Sequence, residues 1–293
     1  MATFSQHNFD SQSYLLHRPG YNQTTYKQII DEHKGSFDIA VDIGCGPGTV
    51  AFELSTSFKQ VIGIDPSPNM LQVATKTAKE RGLTNLVFKQ GYGESLPLEN
   101  DSVDLITVAQ ALHWFDQESF MKEVKRVLKK DGTLVCFGYM FGKVLNLGEK
   151  YQDLLSRLGD VEYGGVLGPF YEKNRPIATA GFIAWFPTFQ QHFHSVLHRS
   201  YPLPLTDQSL LQQQPWMDDT WLTVRQLIGY IKTWSSYKNW LDDYQAKQPE
   251  KAQGEVDVFD MFLKDKLPDH ITLDSQLHMQ WPHSIFIVSN PKN

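Results

Sequence analysis

The chain has 293 residues, 41% of them hydrophobic and 13% aromatic, enough for one large or two ordinary packed domains. A net charge of −6 and a pI near 5.9 give no basic footprint, which argues against nucleic acid and for a small-molecule substrate. The polar start lacks an apolar signal core, and no apolar run approaches the ~18 residues of a membrane span. Two cysteines, Cys45 and Cys136, make neither a disulfide framework nor a zinc set, so a cytoplasmic protein with no metal and no membrane partner is expected, as a monomer or a homodimer.

In chain order, residues 1–30 are a polar N-terminal arm, and 31–140 read as an α/β core. Continuous β-branched runs at Ile39–Ile43, Val61–Ile64, Leu86–Phe88, Val103–Val108 and Thr133–Phe137 have the character of strands covered on both faces. Between them, Met70, Leu71, Ala74 and Ala78 recur at helical spacing before Gly82. Phe120, Val124, Val127 and Leu128 do so between Asp116 and Asp131-Gly132. The alternation predicts a doubly wound, mostly parallel sheet of the Rossmann-like kind. It stops after residue 138. A mixed cap segment is expected over 141–190, and core strands return at 191–204 and 281–293, built on Ser195–Tyr201 and His283–Ser289. A helical cap is expected over 205–280, with Leu227, Ile231, Trp234 and Leu241 on one helical face and a further helix around Val258 and Phe262. Trp185, Trp216, Trp221, Trp234, Trp240 and Trp281 all follow residue 180, which predicts an aromatic-rich cap above the sheet's carboxyl edge.

The most specific signal is the turn Asp42-Ile43-Gly44-Cys45-Gly46-Pro47-Gly48-Thr49, followed by Val61–Ile64 and Asp65. Alternating glycines let the backbone bring its N–H groups against a ligand, and Asp65 offers acceptors to ribose hydroxyls. The dinucleotide spacing needs glycine at 49, where this chain has Thr49, and Asp42 would repel a pyrophosphate while attracting a sulfonium or an ammonium.

Together with Glu94-Ser95-Leu96-Pro97 and Asp101-Ser102-Val103-Asp104-Leu105, these residues resemble the class I S-adenosylmethionine-dependent methyltransferases. Arg18-Pro19-Gly20-Tyr21, Ala109–Phe115 with its His113-Trp114, and Thr233-Trp234-Ser235-Ser236-Tyr237 resemble the yeast members of the trans-aconitate and cantharidin-resistance type, which methylate a carboxyl group. The resemblance implies a seven-stranded sheet and S-adenosylmethionine as cofactor. It implies that Gly44, Cys45, Gly46 and Gly48 cradle the methionine part, with Asp42 near its ammonium. Tyr14 and Arg18 of the arm would fold over it, Asp65 would hold the ribose, and Pro66, Ser67 and Met70 would border the adenine. Tyr92, Gly93, Glu94, Ala109 and Gln110 complete the implied cofactor set, Tyr92 standing where many relatives carry an acid. His113 and Trp114 are the implied reaction-site residues, and Trp234, Ser235, Tyr237, Lys232 and Arg175 the substrate-side candidates.

A carboxylate nucleophile is already ionised at neutral pH and needs positive anchors, whereas a hydroxyl acceptor would need a base, for which His113 is the core candidate. Anchors are available at Arg175, Lys232, His192, His194 and Arg199, and the sequence does not choose among them. Two further readings stay open, a nucleotide-linked oxidoreductase and a cofactor-binding protein without catalysis.

Overall fold

The computed structural model describes residues 10–160, 164–200, 218–248 and 256–292. Five parallel strands form where the β-branched runs lie: β1 Ile39–Ile43, β2 Gln60–Asp65, β3 Leu86–Gln90, β4 Val103–Ala109 and β5 Leu128–Tyr139. With β7 Phe193–Ser200 and β10 His283–Pro291 they make one seven-stranded sheet in the order β3-β2-β1-β4-β5-β10-β7, β10 running antiparallel to both neighbours. The expected return strands are thus adjacent at one edge. Their proline-marked end at Pro202 and Pro204 lies outside the described residues, as does Trp216.

Helices cover both faces. On one, α2 Gln23–Glu32 and α3 Thr49–Leu54 bury Tyr26, Ile29, Val50 and Phe52 against Ala40, Leu105 and Ile285. On the other, α5 Gln117–Val127 buries Phe120, Val124 and Val127 against Val41, Ile106 and Leu134. Capping fixes where these helices start: Asn22, Ser67 and Asp116 each accept a backbone N–H from the first turn of α2, α4 Pro68–Glu80 and α5.

The segment expected as cap over 141–190 divides. Phe141, Val144, Leu154, Leu158 and Leu167 join the cap core, whereas Ala178, Phe182, Trp185 and Phe189, on and around α7 Arg175–Thr179 and α8 Phe186–His192, pack into the sheet core beside Phe120. Trp185 is therefore a sheet-core residue rather than a cap residue, its ring meeting Phe120 of α5 edge-on at 5.8 Å and Phe189 of α8 at 5.7 Å. Above the carboxyl edge the cap adds a three-stranded antiparallel sheet, β6 Lys143–Val144, β9 Gln276–Trp281 and β8 Asp218–Thr223, that the sequence pattern did not suggest. Leu227 and Trp234 do not share a helix. α9 Val224–Lys232 ends at Thr233, Trp234 takes extended backbone (φ −74°, ψ 138°), and α10 Ser235–Lys247 starts afresh. The apolar pattern runs through this break because both helices bury their faces in one cap core with Tyr139 and Trp281.

Candidate active site at the sheet's carboxyl edge

β1 ends in the glycine turn, whose Gly44 and Cys45 N–H groups both donate to the Ile64 carbonyl at 2.8 and 3.1 Å, tying the turn to β2. Gly44, Gly46 and Gly48 all have positive φ, of 68°, 52° and 94°. Their missing side chains serve different ends. A Cβ at Gly44 would stand 2.4 Å from Ala111 Cβ, and one at Gly48 2.8 Å from the Phe52 ring, so these two permit packing. A Cβ at Gly46 would meet nothing within 4 Å, so here the bare backbone borders open space, as a ligand cradle must. Cys45 is buried with its Sγ directed to the Gly46 carbonyl, a filler of the turn.

Asp65 at the end of β2 accepts the Gly46 N–H at 2.9 Å and the Ser67 N–H at 2.8 Å, one on each oxygen. Burial raises its pKa, and these two bonds pull it back. Each oxygen keeps a further lone pair, sufficient for a vicinal diol. Ser67 caps α4 under Met70, which is buried, and Pro66 holds Gln90 through its carbonyl. Gly93 packs against Phe115, Glu94 accepts the Asp116 N–H at 3.0 Å, and Tyr92 is exposed.

Asp42 is buried beside the first turn of α3, accepts the Thr107 hydroxyl at 2.8 Å and the Ala51 N–H, and has its pKa pushed up to about 7, first by burial and then by the charge of Asp65. Because the fold holds this proton and the unfolded chain loses it near pH 3.8, ligand-free stability falls as pH rises from about 4 to about 7. A cationic ligand group beside Asp42 reverses the preference. The cofactor expected from the sequence should therefore bind about tenfold tighter at pH 8 than at pH 6, and Asp42→Asn should flatten that profile. Calorimetry across this range checks it; a flat wild-type profile would remove the Asp42 charge from the site.

The arm brings α1 Ser11–His17 against the cap. Arg18 spends three of its five N–H donors there, on Thr233 Oγ1 (2.9 Å), the Thr233 carbonyl (3.0 Å) and Tyr139 Oη (3.3 Å), and its guanidinium lies over the rings of Tyr14 and Tyr230. Two donors remain for a carboxylate. Burial raises the Tyr14 pKa, and both Asp65 and Arg175 act on it electrostatically, so Tyr14 stands between the cofactor end and the cap end of the site. Tyr21, which the sequence reading quoted but did not assign, has a buried hydroxyl without a hydrogen-bond partner, close enough to Asp42 and Tyr14 to feel both.

β4 runs through Ala109 into Gln110, a residue with φ 55° whose side-chain amide donates to the Tyr139 carbonyl at 2.6 Å. The 3-10 turn Leu112–Trp114 follows. The His113 ring has two aromatic neighbours, Trp114 (centroids 4.9 Å) and Phe182 (6.2 Å, interplanar 23°), and its carbonyl accepts Asn174. Burial, helped by Arg175 and Arg18, pushes its pKa down to about 3, so the imidazole is neutral at physiological pH, and its Nδ1 has no partner.

Across from it, Arg175 at the start of α7 lies over the rings of Tyr171 (4.9 Å) and Phe141 (5.4 Å), its Nε buried without a partner. Trp234 Nε1 is likewise buried and unpartnered, and the buried Tyr171 and Ser236 hydroxyls face each other, with the Tyr171 and Trp234 ring centroids 6.1 Å apart. Of the residues expected from the cap segment, Ser235 is committed to Glu172 (2.7 Å) and Tyr237 packs on Trp240 and Phe262. Half-buried Lys232 ends α9 and is not among the charges acting most strongly on His113, Tyr14 or Tyr171. Arg199 pairs with Glu32 on the α2 side of the sheet, away from this cluster. Tyr171 and Ser236 escaped the sequence reading: the first lies in a stretch without periodicity, and the second is the neighbour of the serine chosen.

A methyltransferase-domain family model matches residues 41–136, from the glycine turn to β5. The chain is 30% identical over 276 residues to a Saccharomyces cerevisiae protein named probable S-adenosylmethionine-dependent methyltransferase CRG1, covering 90% of this chain and 89% of that one. A Dictyostelium discoideum chain bearing the methyltransferase name is 30% identical over 229 residues, 78% of this chain and 75% of its own. Among solved structures, a methyltransferase from Anaeromyxobacter dehalogenans superposes with a TM-score of 0.64 at 20% identity, over 94% of this chain and 99% of that one, a likeness of fold. Similarity over nine-tenths of the chain, on this strand order and this glycine turn, makes the chain a member of the S-adenosylmethionine-dependent methyltransferases.

Proposed function

We propose that the enzyme methylates a carboxylate oxygen of a small organic acid. The observation that carries this reading is the buried cluster of donors around Arg175: Arg175 Nε and Trp234 Nε1 without a partner, and the Tyr171 and Ser236 hydroxyls with only each other. Leaving such groups unpaired costs about 1–3 kcal/mol each, a cost that a ligand with matching acceptors removes. A guanidinium, an indole N–H and two hydroxyls together suit an anion.

The bound cofactor supplies a methyl group on a sulfonium, made electrophilic by the positive charge on sulfur. The open backbone at Gly46, the free lone pairs of Asp65, the buried charge site of Asp42 and the spare hydroxyl of Tyr21 fit its ribose, ammonium and carboxylate. For the acceptor, the protein needs to align the nucleophile and exclude water, and no proton has to be removed from a carboxylate. A carboxylate gripped by Arg175 has its lone pairs engaged and is a poor nucleophile. Arg175 therefore anchors one acid group while a second, facing His113 and Trp114, receives the methyl. His113, held neutral, orients that group through its free Nδ1; with its pKa near 3 it is a weak base for a hydroxyl.

The test is transfer of labelled methyl from S-adenosylmethionine to a panel of mono-, di- and tricarboxylic acids and matched phenols and alcohols. Alkali-labile esters formed fastest with acids carrying two or more carboxylates are expected. Alkali-stable ethers on the hydroxyl compounds, with no ester in the panel, would overturn the reading.

A further inference from the structure

We infer that Phe182 is a positioning residue for the reaction, stacking on the His113 imidazole and, together with Trp114, holding it dry and fixed; the inference rests on the role given to His113 above. Phe182 has φ 61°, in the left-handed region that a bulky aromatic residue avoids. It follows Gly181 at φ 65°, so α7 is reversed by two successive left-handed residues, with the Phe182 N–H returning to the Ile177 carbonyl at 2.8 Å. Strain of this kind persists only where the surroundings over-determine it.

Here they do. The Gly181 carbonyl accepts the Ser284 hydroxyl of β10 at 2.7 Å, and the Phe182 ring enters the space left by Gly138 of β5, where an added Cβ would stand 2.7 Å from Phe182 Cε2 and 3.1 Å from Gln110 Cδ. Gln110, the other left-handed residue of this wall, leads the chain into the His113 turn. Asn174, immediately before α7, binds the His113 carbonyl. One segment, residues 174–182, thus carries the substrate anchor Arg175, the clamp on the His113 backbone and the ring that stacks on its side chain. The charged groups acting on that imidazole are Arg175 from α7 and Arg18 from the arm, both positive, and the two aromatic rings exclude the water that would otherwise stabilise its protonated form.

The decisive measurement is an NMR titration of the His113 ring in the full chain, which needs no substrate. Wild type should stay neutral down to about pH 4. Phe182→Ala should admit water and move the midpoint up by about two units, towards the ordinary histidine value near 6.5. Phe182→Leu should largely retain the wild-type curve. Gly138→Ala, which displaces the ring without removing it, should shift the midpoint in the same direction and serves if Phe182→Ala fails to fold. On an acid accepted by the wild type, Phe182→Ala should lower kcat about tenfold with cofactor affinity unchanged. A lower melting temperature with the His113 titration unmoved in both Phe182→Ala and Gly138→Ala would overturn the inference and leave Phe182 as core filling. A shifted titration in an enzyme that esterifies no acid would sustain it while removing the proposed substrate class.

Discussion

Replacing Gly46 by valine is expected to weaken S-adenosylmethionine binding by at least about a hundredfold, close to 2.7 kcal/mol. The bare Cα of Gly46 borders open space at the head of the glycine turn, and a branched side chain there would stand where the ligand has to approach the backbone. The substitution also forces a β-branched residue into φ 52°, at a cost of roughly 1–2 kcal/mol to the fold. A control separates the two effects. Gly82, in the turn after α4, has φ 69° and equally open surroundings but lies away from the cradle. Gly82→Val should lose a similar amount of stability and keep full cofactor affinity. Calorimetric titration of both variants beside their melting curves is the check, and equal affinity in Gly46→Val and wild type would displace the cradle from this turn.

The candidate cradle could be proposed from the sequence because its chemistry is local. Alternating glycines, Asp42 and Asp65 lie at the ends of two adjacent strands, and β-branched runs fix those strands without help from distant parts of the chain. The candidate substrate cluster was not legible to the same degree. Arg175 was one of several possible anchors, and what distinguishes it from Arg199 among the described residues is partnership: Arg199 finds Glu32, whereas Arg175 lies against aromatic faces with its Nε unpartnered. That difference arises from contacts between segments far apart in sequence, Phe141, Tyr171 and the α9–α10 break, which periodicity cannot register. The break itself is hidden for a related reason. Trp234 falls at helical spacing from Ile231, yet its backbone is extended, since the cap core on which both helices pack rewards the same apolar pattern on either side of the kink. Phe182 shows the limit most sharply, because a left-handed phenylalanine is what intrinsic preference argues against, and only the surrounding packing explains it.

Arg175→Met is expected to reduce kcat/KM for the proposed acid substrate by about a hundredfold, the loss of a charge-assisted, desolvated hydrogen-bonding anchor worth roughly 1.5–3 kcal/mol. Most of this should appear in KM, because a group that grips the non-reacting carboxylate contributes to ground state and transition state alike. Cofactor affinity should be unchanged, since the cradle at Gly46 and Asp65 is built by β1 and β2 rather than by α7. Stability is informative in the opposite direction. In the ligand-free fold Arg175 Nε is buried without a partner, and methionine keeps much of the contact with the Tyr171 and Phe141 rings, so the variant should melt no lower than wild type. Arg175→Lys keeps the charge but loses the planar fork and should recover only part of the activity. An arginine that merely supported the fold would give another pattern, with melting temperature and kcat/KM falling together and KM little changed. Function carried against stability, by a guanidinium whose buried Nε waits for an anion, is the signature that would assign Arg175 to the proposed substrate.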